Sequence, residues 1–341
     1  MTQYVGLDVA MDETKIHVLD GDGKRIWRGK CQSNPDDLEA VLRQRAPQAE
    51  RIGIETGPLT TWLWTELTVR DLPMVCLDAR HAKRALDMRA NKTDANDAEG
   101  LAHIVRSGWY REVRVKGPEA MFSKALVGAR TQLTTMTTDL SNQIRGIMKT
   151  FGLIVPKGSG GIFERNVRAL LDNAPTITAV IIPLLEVWRM TRQRTAELDR
   201  RLLAAARESA DCRLLMTMPS IGTVTAASFI AAIERPESFS SSRDVGAWLG
   251  LTPRRYQSGE IDYEGHISRR GDSRLRALLY EAAMRLLTRV RADSALRRWG
   301  LALKARLGFK RASVAVARKI AVILHAMWRS GKTFDPAAAA A

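Results

Sequence analysis

The sequence predicts a mixed α/β domain followed by a mostly helical remainder. In the first hundred residues, short apolar runs bounded by Gly, Asp and Pro alternate with segments whose apolar residues recur at helical spacing. From Pro118 onward, the helical spacing continues over long stretches. The predicted fold class is therefore α/β plus α, in a chain of 341 residues that has room for about two or three domains.

Three strands in succession form the predicted start of a sheet. Residues 4–10 are apolar except for Asp8, residues 14–19 alternate, and residues 24–30 return after Asp20-Gly21-Asp22-Gly23, which is typical of a hairpin turn. A carboxylate inside a buried strand is costly unless it is paired or bound to a metal. Asp8 is therefore a candidate functional residue.

Helices and strands then alternate, and Glu55 lies near the end of the fourth predicted strand. Capping and turn residues indicate where each of these elements begins and ends. The predicted elements are a helix from Pro35 to about Arg45, a strand over residues 51–57, a helix after Pro58, a strand over residues 74–79 and a basic segment over residues 80–89.

The stretch from Lys92 to Glu99 places two carboxylates, Asp94 and Asp97, at the start of a helical pattern. Residues three apart project from the same helix face, so both side chains can point at one ligand. A simpler interpretation is that Asp94 caps the helix while Asp97 and Glu99 stabilise its first turn against the helix dipole.

The order of these elements is that of the ribonuclease-H-like, or RuvC-like, fold. In that fold, Asp8, Glu55, Asp94 and Asp97 would converge at one edge of the sheet. Four close carboxylates repel one another, and Mg²⁺ or Mn²⁺ would relieve the repulsion because hard cations take oxygen ligands. Two such ions about 4 Å apart would hold a phosphodiester and activate the attacking oxygen.

A long helix with a heptad-like apolar stripe is predicted from Pro118 to Phe151. We call Leu126, Leu133, Leu140 and Ile147 the seam. After a Gly/Pro/Ser-rich loop over residues 152–161 and a short helix, a second long helix is predicted over residues 182–209. The two long helices form either an intramolecular hairpin or an arm for self-association.

The last third of the chain combines basic residues with turn sequences. Residues 218–227 resemble a helix-hairpin-helix element, which presents backbone N–H groups to phosphates, although an ordinary helical turn would give the same pattern. Ser258-Gly259 taken alone is typical of a turn. The arginines around it are the cations that a scissile phosphate needs, or else a solvated basic face.

Charge is unevenly distributed along the chain, whose net charge is +16. Residues 1–110 carry 15 Lys and Arg against 17 Asp and Glu, whereas the remainder carries 38 against 20. This asymmetry favours a polyanionic partner, and nucleic acid above all. The three cysteines and five histidines show no zinc-ligand spacing, and the sequence predicts neither a membrane span nor a secretion signal.

Taken together, these motifs resemble the DEDD-type insertion-sequence transposases of the one-ten family, which are bridge-RNA-guided recombinases. The resemblance spans nearly the whole chain. Its motifs are Gly6-Leu7-Asp8, Ile54-Glu55-Thr56-Gly57, Lys92 to Ala98, Pro219 to Gly222, Gly250 to Arg254, Ser258-Gly259 and Ile267 to Asp272 followed by Leu275-Arg276. Some relatives carry Ser-Ser-Gly where this chain has Gln257-Ser258-Gly259, so the match to Ser258 is to the second serine.

The resemblance implies a division into a catalytic domain over residues 1–115, a coiled-coil arm over 116–210 and a basic transposase domain over 211–332. The low-complexity end of the sequence predicts a disordered tail over 333–341. The resemblance also implies donor and target DNA, a non-coding guide RNA, a homo-oligomer (dimer or tetramer) and a location on the bacterial nucleoid in the cytoplasm. The implied site consists of metal ligands Asp8, Glu55, Asp94 and Asp97, the nucleophile Ser258, and the nucleic-acid-binding residues Arg254, Arg255, Arg269, Arg270, Arg274 and Arg276.

These observations lead to the interpretation that the chain is a DNA transposase whose acids and bound Mg²⁺ or Mn²⁺ activate Ser258 in a composite site. The acids would come from the same chain or from a neighbouring protomer. A junction-resolving nuclease that attacks with water would use the same acids. A non-catalytic nucleic-acid-binding protein with a degenerate nuclease fold would share the fold alone.

Overall fold

The computed structural model describes residues 1–86, 94–258 and 261–337, without the side chains of Ala85, Asp94, Ala95, Ile261 and Glu264. The chain divides into two compact units, Met1–Gly117 and Pro118–Ala341. Both units combine helices with strands, and helices dominate the second. The mixed α/β class that the sequence predicts is therefore confirmed.

The first unit is a five-stranded sheet with helices. Its strands are β1 (Gln3–Val9), β2 (Glu13–Asp20), β3 (Arg25–Gln32), β4 (Ala49–Glu55) and β5 (Met74–Leu77), and its helices are α1 (Pro35–Arg45), α2 (Thr60–Val69), α3 (Ala79–Leu86) and α4 (Asp94–Ser107). The strand order is β3-β2-β1-β4-β5. Strands β1 to β3 are antiparallel neighbours, whereas β4 runs parallel to β1 and β5 parallel to β4.

The sequence signals of this unit act as expected. Asn34 caps α1 by accepting the N–H of Asp37, with Pro35 in the first turn. A core of Val, Leu and Ile side chains from β1, β2, β4, α1 and α2 fills one face of the sheet. Leu101 and Val105 of α4 belong to a second core with β5.

The second unit contains nine described helices and one β-ribbon. The helices are α5 (Pro118–Thr150), α6 (Gly161–Leu171), α7 (Pro175–Glu208), α8 (Ala210–Met216), α9 (Thr223–Ile233), α10 (Ser242–Trp248), α11 (Ser273–Thr288), α12 (Ala295–Leu307) and α13 (Phe309–Ser330), and the ribbon is β6 (Pro253–Ser258) with β7 (Ile261–Ile267). The sequence predicted a mostly helical remainder and did not identify this ribbon.

Helices α5 and α7 lie antiparallel along each other. Trp188 Nε1 donates to Ser141 Oγ at 2.8 Å, and Thr137 Oγ1 donates to Thr191 Oγ1 at 3.1 Å. Arg130 pairs with Asp199 farther along the same interface. This is the intramolecular hairpin that the sequence left open beside self-association.

The buried face of α5 lies beside the predicted seam. Val127, Ile144 and Met148 are the buried residues of α5, whereas the seam residues Leu126, Leu133, Leu140 and Ile147 are each only partly buried. Three seam residues still pack against buried cores: Leu126 against the core that contains Val127, and Leu140 and Ile147 against the core that contains Ile144 and Met148. Phe122 and Met136 of the same helix are exposed.

The second long helix begins seven residues earlier than the sequence predicts, at Pro175 instead of residue 182. Pro183 lies inside the helix, where a proline costs roughly 3 kcal/mol. Ile177 and Ile181 are 4% and 0% exposed, and burying each contributes roughly 1.5–3 kcal/mol. Their burial offsets the cost of the internal proline, so the helix extends through it.

The C-terminal segment up to residue 337 is anchored, where the sequence predicted a disordered tail over 333–341. Phe334 packs against the core of the second unit, and its N–H donates to Thr217 Oγ1 at 3.1 Å. The carbonyl of Pro336 accepts the N–H of Ala295 at 2.8 Å. Residues 338–341 lie outside the described part of the chain. None of the described helices combines the length and the apolar character that a membrane span requires.

Candidate functional site

Asp8 and Glu55 lie side by side at the edge of the five-stranded sheet that the carboxyl-terminal ends of β1, β4 and β5 form. Leu7 pairs with Ile54 in the parallel β1–β4 ladder, and each acid is the next residue in its strand. Both side chains are half-buried. Parallel strands end at the same edge and lie about 4.8 Å apart, so the two carboxylates share the carboxyl-terminal edge of the sheet.

Helix α4 covers the sheet face to which both acids belong. A Cβ on Gly6 would lie 2.1 Å from the carbonyl oxygen of Ala98, and one on Gly53 would lie 2.5 Å from Val105 Cγ1. Only glycine allows this close approach of helix and strand. Asp8 and Glu55 follow these glycines by two residues and therefore project from the same face.

The direction of α4 brings its first turn to the acid edge. At its carboxyl-terminal end, the Val105 carbonyl accepts Arg51 Nη1 at 3.2 Å, and Arg106 Nη1 donates to the Gly21 carbonyl at 3.1 Å. Arg51 and Gly21 lie toward the opposite edge of the sheet, near the start of β4 and just after the end of β2. The first turn of α4, with half-buried Asp97, therefore points toward Asp8 and Glu55.

We call Asp8, Glu55 and Asp97, together with the predicted fourth member Asp94, the acid edge. Asp94 begins α4, but its side chain and the preceding Lys92 and Thr93 lie outside the described residues. Among the side chains described, no three His, Cys, Asp or Glu form a ready-made metal site. The donors fit a hard divalent cation, because two adjacent half-buried carboxylates and a third on the covering helix are all oxygen ligands.

Ser258 is the last residue of β6 and is exposed. In the β6–β7 ladder it pairs with Ile261, and Tyr256 pairs with Tyr263. Gly259 and Glu260, which join the two strands, lie outside the described residues. Ser258 and Tyr256 are two apart and so share one face of the ribbon.

An exposed aromatic pair marks that face. The rings of Tyr256 and Tyr263 stack with centroids 5.5 Å apart, and the residues are 53% and 59% exposed. On the other face, Arg255 forms a two-point ion pair with Asp262, at 2.9 and 2.5 Å. The sequence interpretation missed this pair.

The base of the ribbon is fixed by close backbone contacts between residues 248–252 and 267–272. The N–H of Ser268 donates to the Thr252 carbonyl at 2.9 Å, and that of Arg269 donates to the Gly250 carbonyl at 3.0 Å. Gly250 and Gly271 have φ values of +69° and +78°, and a Cβ on either would overlap the facing backbone. The Gly-Leu-Thr-Pro and Ser-Arg-Arg-Gly-Asp motifs therefore build the foundation of the ribbon.

The predicted nucleic-acid-binding arginines have different surroundings. Arg276 Nη1 donates to the carbonyls of Leu249 and Arg270, both at 2.9 Å, and burial lowers the pKa of this guanidinium. Arg254 donates to the Ser268 carbonyl at 3.2 Å. Arg276 therefore stabilises the ribbon base. Arg269, Arg270 and Arg274 are exposed, and their contact with nucleic acid stays a prediction.

The Pro-Ser-Ile-Gly motif forms the turn between α8 and α9, as the sequence predicts. Ser220 has a φ of +73°, and its buried Oγ makes no hydrogen bond to the described residues. Gly222 begins α9 without a side-chain cap. This turn lines a groove of about 670 Å³ together with Arg285 and Arg289, and its binding of phosphate stays a prediction.

Comparison with known proteins places both units in one family. The model of the DEDD-type IS110 transposases matches residues 5–152, and the model described as "Transposase IS116/IS110/IS902 family" matches residues 212–298. The transposase for insertion sequence element IS1111A from Coxiella burnetii is 28% identical over 97% of this chain and 91% of its own length. A probable family 20 transposase from Pseudomonas aeruginosa is 30% identical over 73% of this chain and 75% of its own length. With that identity and coverage, and with a family match in each unit, the chain belongs to the IS116/IS110/IS902 family of insertion-sequence transposases.

Proposed function

We propose that this transposase cuts and rejoins DNA strands with a divalent cation at the acid edge and Ser258 as the nucleophile. The observation that carries the proposal is the placement of Asp8 and Glu55 side by side, beneath a helix whose first turn carries Asp97. The test is strand cleavage of DNA that carries the element ends, with Mg²⁺ and with a chelator.

A ribonuclease-H-like first unit is part of the proposal. It is supported by the order β3-β2-β1-β4-β5, by the antiparallel meander of the first three strands and by the parallel fourth and fifth strands. In that arrangement the carboxyl-terminal ends of β1 and β4 are neighbours. Acids at those two ends are therefore close together, and their proximity does not depend on the conformation of a loop.

Asp8, Glu55, Asp94 and Asp97 would hold Mg²⁺ or Mn²⁺. A cation bound there supplies charge that stabilises the phosphate oxygens in the transition state and lowers the pKa of the attacking hydroxyl. The chain contributes the rigid geometry. Gly6 and Gly53 let α4 lie directly on the strands, which fixes the distance between the helix and the two strand carboxylates.

A non-coding guide RNA is the proposed source of sequence choice. The family resemblance implies such an RNA, and the basic charge of the remainder after residue 110 is what a protein needs to hold nucleic acid by shape and backbone. Strand exchange should then require RNA transcribed from the same element. Full exchange after ribonuclease treatment, in a reaction that excludes new transcription, would contradict the guided mechanism.

DNA binding by the intact chain should weaken steeply with salt. Residues 251–332 carry 19 Lys and Arg against 6 Asp and Glu, and each neutralised phosphate adds roughly 0.9 to the slope of log K against log salt on duplex DNA. An Arg269→Gln/Arg270→Gln variant should lower the slope by about 2. Arg194→Gln, which removes a cation paired with Glu197, is the control. A slope unchanged by the double variant would show that the two arginines contact no phosphate.

Self-association should involve the exposed apolar face of α5. Leu133 is partly buried and Met136 is 38% exposed, one turn apart on that face. Strand exchange between two duplexes needs more than one active site, so a Leu133→Glu/Met136→Glu variant should have a smaller mass in light scattering with DNA bound. Thr138→Glu introduces a charge on another exposed face as the control. An unchanged mass would limit α5 to packing within one chain.

A further inference from the structure

A pocket of about 360 Å³ lies beside β5 in the first unit. This volume is at the lower end of the roughly 300–1,000 Å³ typical of small-ligand sites. Leu77, Ala82 and Ile104 line it with apolar side chains. The acid Asp78, which follows β5, and polar and aromatic residues of α3 and of the segment after α4 complete the lining. The pocket thus joins an apolar floor to a polar rim.

Trp109 is the most exposed large aromatic residue of the described chain, at 81%, and it lines this pocket. Its backbone is held in place. Gly108 turns the chain at φ +69°, the Trp109 N–H donates to Ser107 Oγ at 3.3 Å, and Ser107 Oγ donates to the Ile104 carbonyl at 2.9 Å. An indole on a fixed backbone offers a flat apolar surface against which a planar ring can stack.

Three basic side chains, His81, Arg84 and Arg111, also line the pocket, and all three are exposed. They stand out because residues 1–117 carry no net charge, with 18 Lys and Arg against 18 Asp and Glu. The backbone of Arg111 is tied to the sheet, since its carbonyl accepts the N–H of Asp78 at 3.2 Å. An exposed aromatic face beside cations is the arrangement by which proteins hold an unpaired nucleotide.

The pocket lies next to the acid edge. Glu55 pairs with Leu77 in the β4–β5 ladder, and the N–H of Thr56 donates to the Leu77 carbonyl at 3.0 Å. Leu77 and Glu55 therefore stand on neighbouring strands about 4.8 Å apart. A ligand in the pocket would be held beside the proposed metal ligands.

We propose that this pocket binds one unpaired nucleotide of single-stranded DNA close to the bond that is cut. Its base stacks on Trp109 and its flanking phosphates pair with Arg84 and Arg111. The inference rests on the proposed function, because a strand that is cut and rejoined must be unpaired from its complement near the reacting phosphate.

The first test is the affinity of the full-length protein for a short labelled single-stranded DNA, measured by fluorescence anisotropy with a chelator present. Trp109→Ala should weaken binding by about tenfold, which is the loss of one base–aromatic stack. Trp62→Ala removes another exposed tryptophan of the same unit, 47% exposed on α2, and should leave the affinity unchanged. Duplex DNA should bind the Trp109→Ala variant as it binds the wild type.

The cations are tested with a charge-matched pair of variants. Arg84→Gln/Arg111→Gln should weaken single-strand binding and lower its salt slope by about 1.4, or roughly 0.7 for each phosphate contact. Arg25→Gln/Arg28→Gln removes the same charge from β3, the edge strand farthest from the pocket, and should not change the slope.

Photocrosslinking tests the position directly. DNA with one iododeoxyuridine in its single-stranded part should crosslink to Trp109, located by mass spectrometry of the digested protein. Two outcomes would overturn the proposal. One is a wild-type DNA affinity of Trp109→Ala together with crosslinks at other residues. The other is a loss of affinity in Trp109→Ala for single-stranded RNA but not for single-stranded DNA. These measurements need no cleavage, so they can refute the pocket proposal without refuting metal-dependent cleavage. A cleavage assay can likewise refute metal-dependent cleavage without refuting the pocket proposal.

Discussion

Asp8→Asn should reduce DNA strand cleavage by roughly a hundredfold to ten-thousandfold, while DNA binding is retained. A carboxylate that ligates a catalytic cation supports several kcal/mol of transition-state stabilisation, and each 1.36 kcal/mol is a tenfold change in rate. The amide has nearly the same shape but lacks the charge. The basic surface of the second unit is untouched, so anisotropy with duplex DNA should give the wild-type affinity.

Asp22→Asn is the matched control. Asp22 is exposed in the β2–β3 turn, which lies at the opposite edge of the sheet from Asp8. It makes the same chemical change in the same unit and should cleave at the wild-type rate. Glu55→Gln should behave like Asp8→Asn, because the two acids are neighbours in the ladder. Cleavage by Asp8→Asn at close to the wild-type rate would remove the metal mechanism from this edge.

The first unit is the part of the fold that the sequence predicts best. Each of its strands has a clear local signal: an apolar run, the Asp-Gly-Asp-Gly turn, or a cap such as Asn34 followed by Pro35. Asp8 and Glu55 come near the ends of two predicted strands, and the structure shows that these strands are parallel neighbours, so topology brings the two acids together. The sequence could not show that α4 lies directly on their strands, because that contact depends on Gly6 and Gly53 facing the helix.

The ribbon was missed for a physical reason. All six residues of β6 are exposed, so no buried face creates the hydrophobic alternation by which strands are usually recognised. Its pairing instead depends on contacts across the ladder, namely the tyrosine stack and the ion pair of Arg255 with Asp262. These contacts can be predicted only once it is known which residues of β6 and β7 face each other.

The pocket beside β5 shows a similar limit. Trp109 and Arg84 lie 25 residues apart in the sequence and come together only because α4 returns the chain to the edge of β5. The basic segment over residues 80–89 was visible in the sequence, but its aromatic counterpart was not. The role of such a basic segment can be inferred only once the structure shows which side chains lie beside it.

Ser258→Ala should abolish the covalent protein–DNA adduct and strand exchange without weakening DNA binding. In the proposed step, Ser258 Oγ attacks the scissile phosphorus and forms a phosphoserine bond. The phosphorus–oxygen bond to one sugar breaks, and the leaving oxygen takes a proton. Rejoining reverses these steps with a new sugar hydroxyl, so no external energy source is needed.

Among the side chains of the ribbon that the structure describes, none is placed as a base for this serine. A serine hydroxyl is a weak nucleophile at neutral pH and needs a proton acceptor. Ser258 shares its face with Tyr256 and Tyr263, whereas Asp262 belongs to the opposite face. Asp262 is also engaged by Arg255, whose hydrogen bond lowers the pKa of the carboxyl group and makes it a poorer base. The acceptor must therefore come from beyond the described ribbon, and the acid edge with its cation is the proposed source.

A nicked suicide DNA substrate tests this step, because loss of the short leaving fragment traps the adduct. Wild-type protein should give a denaturation-resistant adduct with Mg²⁺, and Ser258→Ala should give none. Ser273→Ala, which changes another exposed serine of the same basic region, should form it normally. Asp8→Asn should also give no adduct, since the hydroxyl would lack its activating group. If Ser258→Ala still exchanges strands, the nucleophile lies elsewhere. If Ser258→Ala cleaves DNA but cannot rejoin it, and the wild-type protein forms no adduct, then water is the nucleophile and the acid edge acts as a nuclease.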